Sequence, residues 1–234
     1  MREAVILAGG LGTRLRAAVA GRPKAMALVA GRPFLEWQLD YLRTQRVQRV
    51  VLAVGHLADQ LVAHFGSGYR DIAIDYEVES MPRGTGGALR SALDRVTSAA
   101  AFALNGDTLL LADLDALEGR GDERIVMAVR AEADCARYGA VQVDNGRVVA
   151  FHEKGSAGGG YINGGVYWMR RDLFASYDLP EAFSFERDFL GSRAQALAPR
   201  AVVTDAFFLD IGTPSTYVES QLAIPDALRH ISAA

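Results

Sequence analysis

Apolar positions fall in unbroken blocks through the first half of the chain and alternate with polar ones through much of the second. Ala4-Val-Ile-Leu-Ala8 is a block of strand formers closed by Gly9-Gly10, which predicts a buried parallel strand ending in a tight turn. Phe34, Leu35, Leu39 and Leu42 recur at helical spacing, predicting a helix from 34 to about 46. Val50 to Val54 is then a second buried strand, completing a βαβ start. The alternation continues with a helix over 57–65, a strand over 72–78, a helix opening at Thr85-Gly86-Gly87 and a strand over 102–105. Such an order implies an α/β fold with a Rossmann-like, doubly wound and mostly parallel sheet.

Past Asp107 the texture changes. Runs at 125–131, 139–143, 148–151 and 162–169 follow one another with few helical patterns between them, so mixed strands are expected in the C-terminal half. The expected organisation is one domain over 1–225, with a nucleotide-type half over 1–110, a second half over 111–225, and a loosely held tail over 226–234. Gly155-Ser-Ala-Gly-Gly-Gly160 is too short for an interdomain linker and reads as a flexible loop beside a site.

Charge narrows the partners. With 25 basic and 28 acidic residues, the formal net charge of −3 argues against a surface that holds a nucleic acid backbone. No apolar run reaches the ~18 residues of a membrane span, so a cytoplasmic protein that binds neither nucleic acid nor membrane is expected. A single cysteine, Cys135, cannot form an internal disulfide, and the four histidines show no zinc-type spacing with it. The basic residues are informative in another way, because all are arginine except Lys24 and Lys154. An ammonium is a compact point charge and a guanidinium a planar fork, so lysines that persist against such a bias mark positions where the difference matters.

Three glycines (Gly9, Gly10, Gly12), Thr13, Arg14 and Lys24 follow the first strand. Glycines let backbone N–H groups approach anionic oxygens, and the two cations supply charge where a polyphosphate would lie. The spacing Gly-Gly-x-Gly matches neither the dinucleotide fingerprint nor the P-loop, and the second strand leads to Gly55-His56 where a ribose-binding acid would stand, which counts against a dehydrogenase. Asp107 and Asp210 each close an apolar run, as expected of carboxylates at strand ends. Two hard oxygen ligands suit magnesium, which takes its other positions from water and phosphate. As turn or loop acids they would be ordinary, and the nearby Asp113 and Asp115 are read as turn and cap residues. Glu79 could accept from the N1–H and amine of guanine, favouring GTP, or could simply be solvated.

Leu7-Ala-Gly-Gly-x-Gly-Thr-Arg-Leu15 with the later Pro23-Lys24 resembles the signature of sugar-1-phosphate nucleotidyltransferases. The likeness runs on, in order, through Gly84-Thr-Gly-Gly-Ala88, Asn105-Gly-Asp107, Phe151-His-Glu-Lys154, Ile162-Asn-Gly-Gly-Val166 and Asp210-Ile-Gly-Thr-Pro214. Within that family it is most similar to the short guanylyltransferases acting on D-glycero-D-manno-heptose 1-phosphate. The resemblance implies transfer of GMP from GTP to a sugar 1-phosphate with Mg2+ as cofactor and GTP and the sugar phosphate as partners, and it is compatible with a homodimer. It assigns Arg14 and Lys24 to catalysis, and Asp107 and Asp210 to the metal. Leu7, Ala8, Gly9, Gly10, Gly12, Thr13, Glu79, Gly84, Thr85, Asn105 and Asp107 go to the nucleotide, and Gly139, Glu153, Lys154, Asn163, Gly164 and Glu186 to the sugar phosphate. Glycines 164 and 165 could instead mark a strand bulge, and Glu186 a surface acid. The same chemistry with UTP, dTTP or a mannose-type substrate, or a non-catalytic nucleotide-sugar-binding regulator, are the alternatives.

Overall fold

The computed structural model describes residues 1–10, 15, 21–135, 138–152 and 158–232. Its centre is β1 (Glu3–Leu7), flanked in parallel by β4 (Arg49–Val54) and β7 (Ala100–Asn105), with Ala4 in register with both Val50 and Phe102. Outward from β4 lie β6 (Ile72–Val78), parallel, and the short edge strand β5 (Gly68–Tyr69). Outward from β7 the hand changes: β12 (Gly160–Arg170) runs antiparallel to β7 and to β9 (Ile125–Glu132). The strands β13 (Arg200–Thr204), β11 (Arg147–His152) and β10 (Ala140–Asp144) complete ten. A ribbon of β2 (Leu28–Val29) and β3 (Arg32–Pro33) and another of β8 (Thr108–Leu110) and β14 (Phe208–Asp210) stand apart from this sheet.

Unbroken apolar runs reflect burial on both faces. Ala4 and Ile6, with Val50 and Leu52, face one core that contains α1 (Phe34–Thr44), α2 (Ala58–Phe65) and α6 (Pro214–Ser232). Val5, Val51 and Ala53 face the other, which contains α3 (Gly84–Asp94) and the phenylalanines 174, 183, 185 and 189. The first core also holds α4 (Leu114–Leu117), whose N-cap Asp113 accepts from Asp115 N at 2.9 Å, the cap role expected there.

The expected tail beyond Pro225 is corrected. The helix α6 continues through Pro225 to Ser232, with Ile224 and Leu228 buried at i, i+4. Packing of that apolar pair outweighs the backbone hydrogen bond lost at the proline. Past Ser184 the chain forms a π-helical turn (Phe185–Gly191) running into α5 (Ser192–Leu197). No helix among the described residues is long and apolar enough to cross a membrane.

At the edge of the sheet away from the glycine turn, Glu3 is buried and accepts from Ser98 N at 2.6 Å, Thr97 N at 3.0 Å, Thr97 Oγ1 at 3.0 Å and the Arg49 guanidinium. Burial pushes this carboxyl up, but the donors outweigh it and hold it at about 2, below its ordinary 4.5. Because the folded value is the lower one, the ionised group stabilises the fold above pH 4.5, and that contribution, about 3 kcal/mol, fades as the pH falls toward 2. Glu3→Gln should therefore lower the melting temperature at pH 7, with the gap to wild type narrowing below pH 4. Thermal unfolding followed by circular dichroism across that range checks it, and a gap of constant size would remove the charge from the account.

Candidate functional site

Two carboxylates 103 positions apart in sequence meet because of the β8–β14 ribbon. Thr108 pairs with Asp210 across it, and the N–H of Ile211 donates to the Asp107 carbonyl at 2.9 Å. On the other side Gly106 seals the ribbon to the sheet, since its N–H donates to the Leu7 carbonyl at 3.0 Å and a side chain there would overlap that carbonyl. Asp107 thus sits where the C-terminal ends of β1 and β7 open, the usual ligand position of such sheets.

Lys24 reaches the same point from a short 3-10 turn (Lys24–Met26). Its Nζ lies 2.5 Å from Asp107 Oδ2, and Thr108 Oγ1 donates to Asp107 Oδ1 at 3.2 Å. Asp210 Oδ1 accepts from Gly212 N at 2.5 Å, and a methyl added at Gly212 would overlap that oxygen and lie 3.5 Å from Lys24 Nζ. The ammonium, both carboxylates and a bare turn of backbone therefore form one cluster. Among the described residues no group of three Asp, Glu, His or Cys side chains gathers to hold a metal. Two carboxylates alone fit a hard divalent cation that takes its other ligands from phosphate and water, and do not fit an all-protein cage.

Around this cluster lie two connected lobes. The first, about 500 Å³, is walled by Leu7, Ala8, Gly9, Gly10, Lys24, Glu79, Gly84 and Thr85. The second, about 730 Å³, is walled by Tyr138, Gly139, Phe151, His152, Asn163, Gly165, Phe208, Asp210 and Thr213. Asn105, Asp107 and Glu186 line both. So the expected nucleotide residues that are described gather in one lobe, and Gly139, Asn163, Asp210 and Glu186 in or beside the other. Gly12, Thr13, Arg14, Glu153 and Lys154 lie outside the described residues, as do residues 155–157 of the expected loop.

Glu79 ends β6 by donating its N–H to the Val54 carbonyl at 2.8 Å and hangs its carboxylate over the glycine turn, with a hypothetical Cβ on Gly9 or Gly55 only 3.6 or 3.5 Å from Oε2. Burial pushes its carboxyl upward, against the pull of the Arg83 N–H and charge. Its Oε1 is buried with no hydrogen-bond partner among the described residues. A desolvated acceptor without a donor is costly to the fold.

The Gly84-Thr-Gly-Gly87 stretch does two jobs. Gly84, at φ +67°, lines the first lobe, whereas a side chain at Gly86 would overlap the Phe183 ring and one at Gly87 would come within 2.5 Å of the Glu181 carbonyl. The latter two glycines let the 181–185 segment lie on the start of α3, where Phe183 O accepts from Gly86 N at 2.9 Å and Thr85 Oγ1 from Phe185 N at 2.9 Å. That docking carries Glu186 to the junction of the lobes.

Asn163-Gly164-Gly165 is both bulge and wall. The β9–β12 register shifts between Asn163 and Tyr167, and Gly165 has φ +70° against Asn105. Gly164, expected at the sugar, is buried with Leu110 and Ala128 where a Cβ would be, and its neighbour Gly165 lines the lobe. The aromatic wall made by Tyr138 and Phe208, whose rings meet edge-on at 5.4 Å, was not foreseen. Neither aromatic lies in a motif, and only folding brings them together.

A family model described as nucleotidyl transferase matches residues 3–227. The D-glycero-alpha-D-manno-heptose 1-phosphate guanylyltransferases of Aneurinibacillus thermoaerophilus and Campylobacter jejuni are 39% and 40% identical to this chain. They align over 94% and 92% of it and over 96% of each of their own lengths. The crystal structure of HddC from Yersinia pseudotuberculosis superimposes with a TM-score of 0.83 at 34% identity, covering 97% of this chain and 99% of that one. The same protein complexed with GMP-PN gives 0.82, covering 94% and 98%.

Proposed function

Because the chain belongs to the nucleotidyl transferase family, we propose that it transfers GMP from GTP to D-glycero-α-D-manno-heptose 1-phosphate, giving the GDP-heptose and pyrophosphate. The carrying observation is the two-lobed cavity whose lobes meet at the Lys24–Asp107 pair, with Asp210 alongside. One lobe suits a nucleotide and the other a sugar, and the reacting phosphates fall between them.

The first lobe suits guanine through Glu79, whose carboxylate lines it over the glycine turn and complements the N1–H and exocyclic amine on that base's edge. A pyrimidine imide presents one donor between two acceptors and would leave the carboxylate facing a carbonyl. Glu79→Gln should therefore lower the ratio of kcat/KM for GTP over UTP by about 10-fold or more, the size of one charged hydrogen bond. An unchanged ratio removes Glu79 from base selection.

The nucleophile is a phosphate oxygen of the sugar substrate. With a second ionisation at about 6, it is anionic near neutral pH and needs no general base. What the protein supplies is alignment and charge. Lys24 lies against the junction, Arg14 and Lys154 stand in the motifs that the resemblance gives to the triphosphate and the sugar phosphate, and the α-phosphorus is attacked in line as pyrophosphate leaves. A magnesium ion held by Asp107 and Asp210 would neutralise phosphate oxygens there. GTP supply would place the reaction in the cytoplasm, and its product would feed a surface glycan such as capsule or lipopolysaccharide.

Pyrophosphate release from each of four NTPs, with magnesium and a panel of sugar 1-phosphates, tests the reading. Fastest turnover is expected with GTP and the heptose phosphate. Tight nucleotide-sugar binding without turnover would make the chain a regulator, and faster turnover with UTP or dTTP would replace the nucleotide.

A further inference from the structure

Behind the wall of the second lobe a hydroxyl is buried in an aromatic cluster. Tyr167, on β12, is 1% exposed and packs its ring edge-on to Phe185 at 5.2 Å. A phenolic O–H in such surroundings must find partners or destabilise the fold. It finds two: Asn163 Nδ2 donates to the Tyr167 oxygen at 2.5 Å, and the Tyr167 O–H points to Glu186 Oε1 at 3.4 Å. Asn163 Nδ2 also donates to Glu186 Oε1 at 2.8 Å, and Asn163 Oδ1 accepts from Gly165 N at 3.0 Å.

Counting donors reassigns Asn163. An amide has two N–H hydrogens, and both are engaged, one by Tyr167 and one by Glu186. Its donors are spent inside the protein, so its main work is to hold Glu186, the side chain that lines both lobes. The geometry depends on the bulge. Four residues of regular strand span about 13 Å, too far for the Tyr167 hydroxyl to meet the Asn163 amide while pointing away from the sheet. The register shift and the left-handed Gly165 shorten that path. On the other side, the π-helical turn that carries Glu186 supplies the second anchor.

We infer that Tyr167 is a positioning residue for sugar 1-phosphate recognition, locking Asn163 and Glu186 into one hydrogen-bonded triad that presents the Glu186 carboxylate to the sugar hydroxyls. The inference rests on the proposed transfer to a sugar 1-phosphate. Burial raises the Tyr167 phenol well above its ordinary value, so it stays a proton donor to Glu186 throughout the working pH range.

Tyr167→Phe keeps the ring and its packing and removes only the oxygen. Steady-state kinetics of the wild type, Tyr167→Phe, Glu186→Gln and the double variant, with GTP and the heptose 1-phosphate varied separately, give the test. The expected result for Tyr167→Phe is a KM for the sugar phosphate raised about 5- to 10-fold, with KM for GTP changed less than 2-fold, as for loss of one hydrogen bond that orients a charged group. In the double variant the loss should not exceed that of Glu186→Gln alone, because Tyr167 acts through Glu186. Equal changes in both KM values, no change in either, or effects that multiply in the double variant would each overturn the inference. Inactivity of the wild type would instead overturn the proposed transfer, and thermal unfolding of each variant separates a folding defect from both.

Discussion

Asp107→Asn should lower kcat for pyrophosphate release by about 100- to 1,000-fold while the protein still folds. The substitution keeps the shape of the side chain, so an amide oxygen can still face Lys24 Nζ, which lies 2.5 Å from Asp107 Oδ2, and an amide N–H2 can turn toward Thr108 Oγ1. The backbone is held independently, by Gly106 N on the Leu7 carbonyl and by Ile211 N on the Asp107 carbonyl. What disappears is one unit of negative charge at the meeting point of the lobes. A divalent ion would then be held by Asp210 and phosphate alone, so the magnesium concentration for half-maximal activity should rise as kcat falls. Steady-state rates across a magnesium titration, with thermal unfolding as control, check it. A loss below 10-fold in a folded protein would mean that Asp107 is the turn acid it could have been.

Lys24→Arg is the second large effect, and the less intuitive one, since it preserves charge in a chain that otherwise prefers arginine. The Lys24 side chain is only 11% exposed, and its ammonium ends 2.5 Å from Asp107 Oδ2 and 3.5 Å from the point a Gly212 Cβ would occupy. Its backbone is pinned in a tight turn, with Met26 N donating to Pro23 O at 2.8 Å. A longer, planar guanidinium cannot end its charge at the same point, and its fork would pair with the carboxylates and withdraw them from a metal. The expected loss is about 100-fold in kcat/KM, close to that of Lys24→Met, because position matters as much as charge. Activity above a tenth of wild type for Lys24→Arg would show that any cation serves.

Local pattern made most of this protein legible because two physical signals are local. Burial of a parallel sheet on both faces writes itself as unbroken apolar blocks, so β1, β4, β6 and β7 stood out. Phosphate chemistry needs bare backbone at a strand end, so the glycine turn and its cations did too. The misreadings share a different cause. Which glycine of Asn163-Gly164-Gly165 lines the lobe depends on which way a bulge turns, and both outcomes have the same spelling. Pro225 looked like a terminus because a proline weakens any isolated helix. The buried Ile224 and Leu228 that carry α6 through it gain their energy from residues far away in sequence.

By itself the chain's sequence determined the alternation of strands and helices through Asn105, the glycine-rich turn, and which few carboxylates and cations were worth watching, since each follows from the chemistry of neighbouring residues. Only the tertiary structure decided that Asp107 and Asp210 meet, that the Glu79 carboxylate hangs over the turn, and that Tyr167 joins Asn163 to Glu186. Those are distances between residues brought together by the β8–β14 ribbon, the sheet edge and a strand bulge, and through-space distance is set by packing of the whole fold.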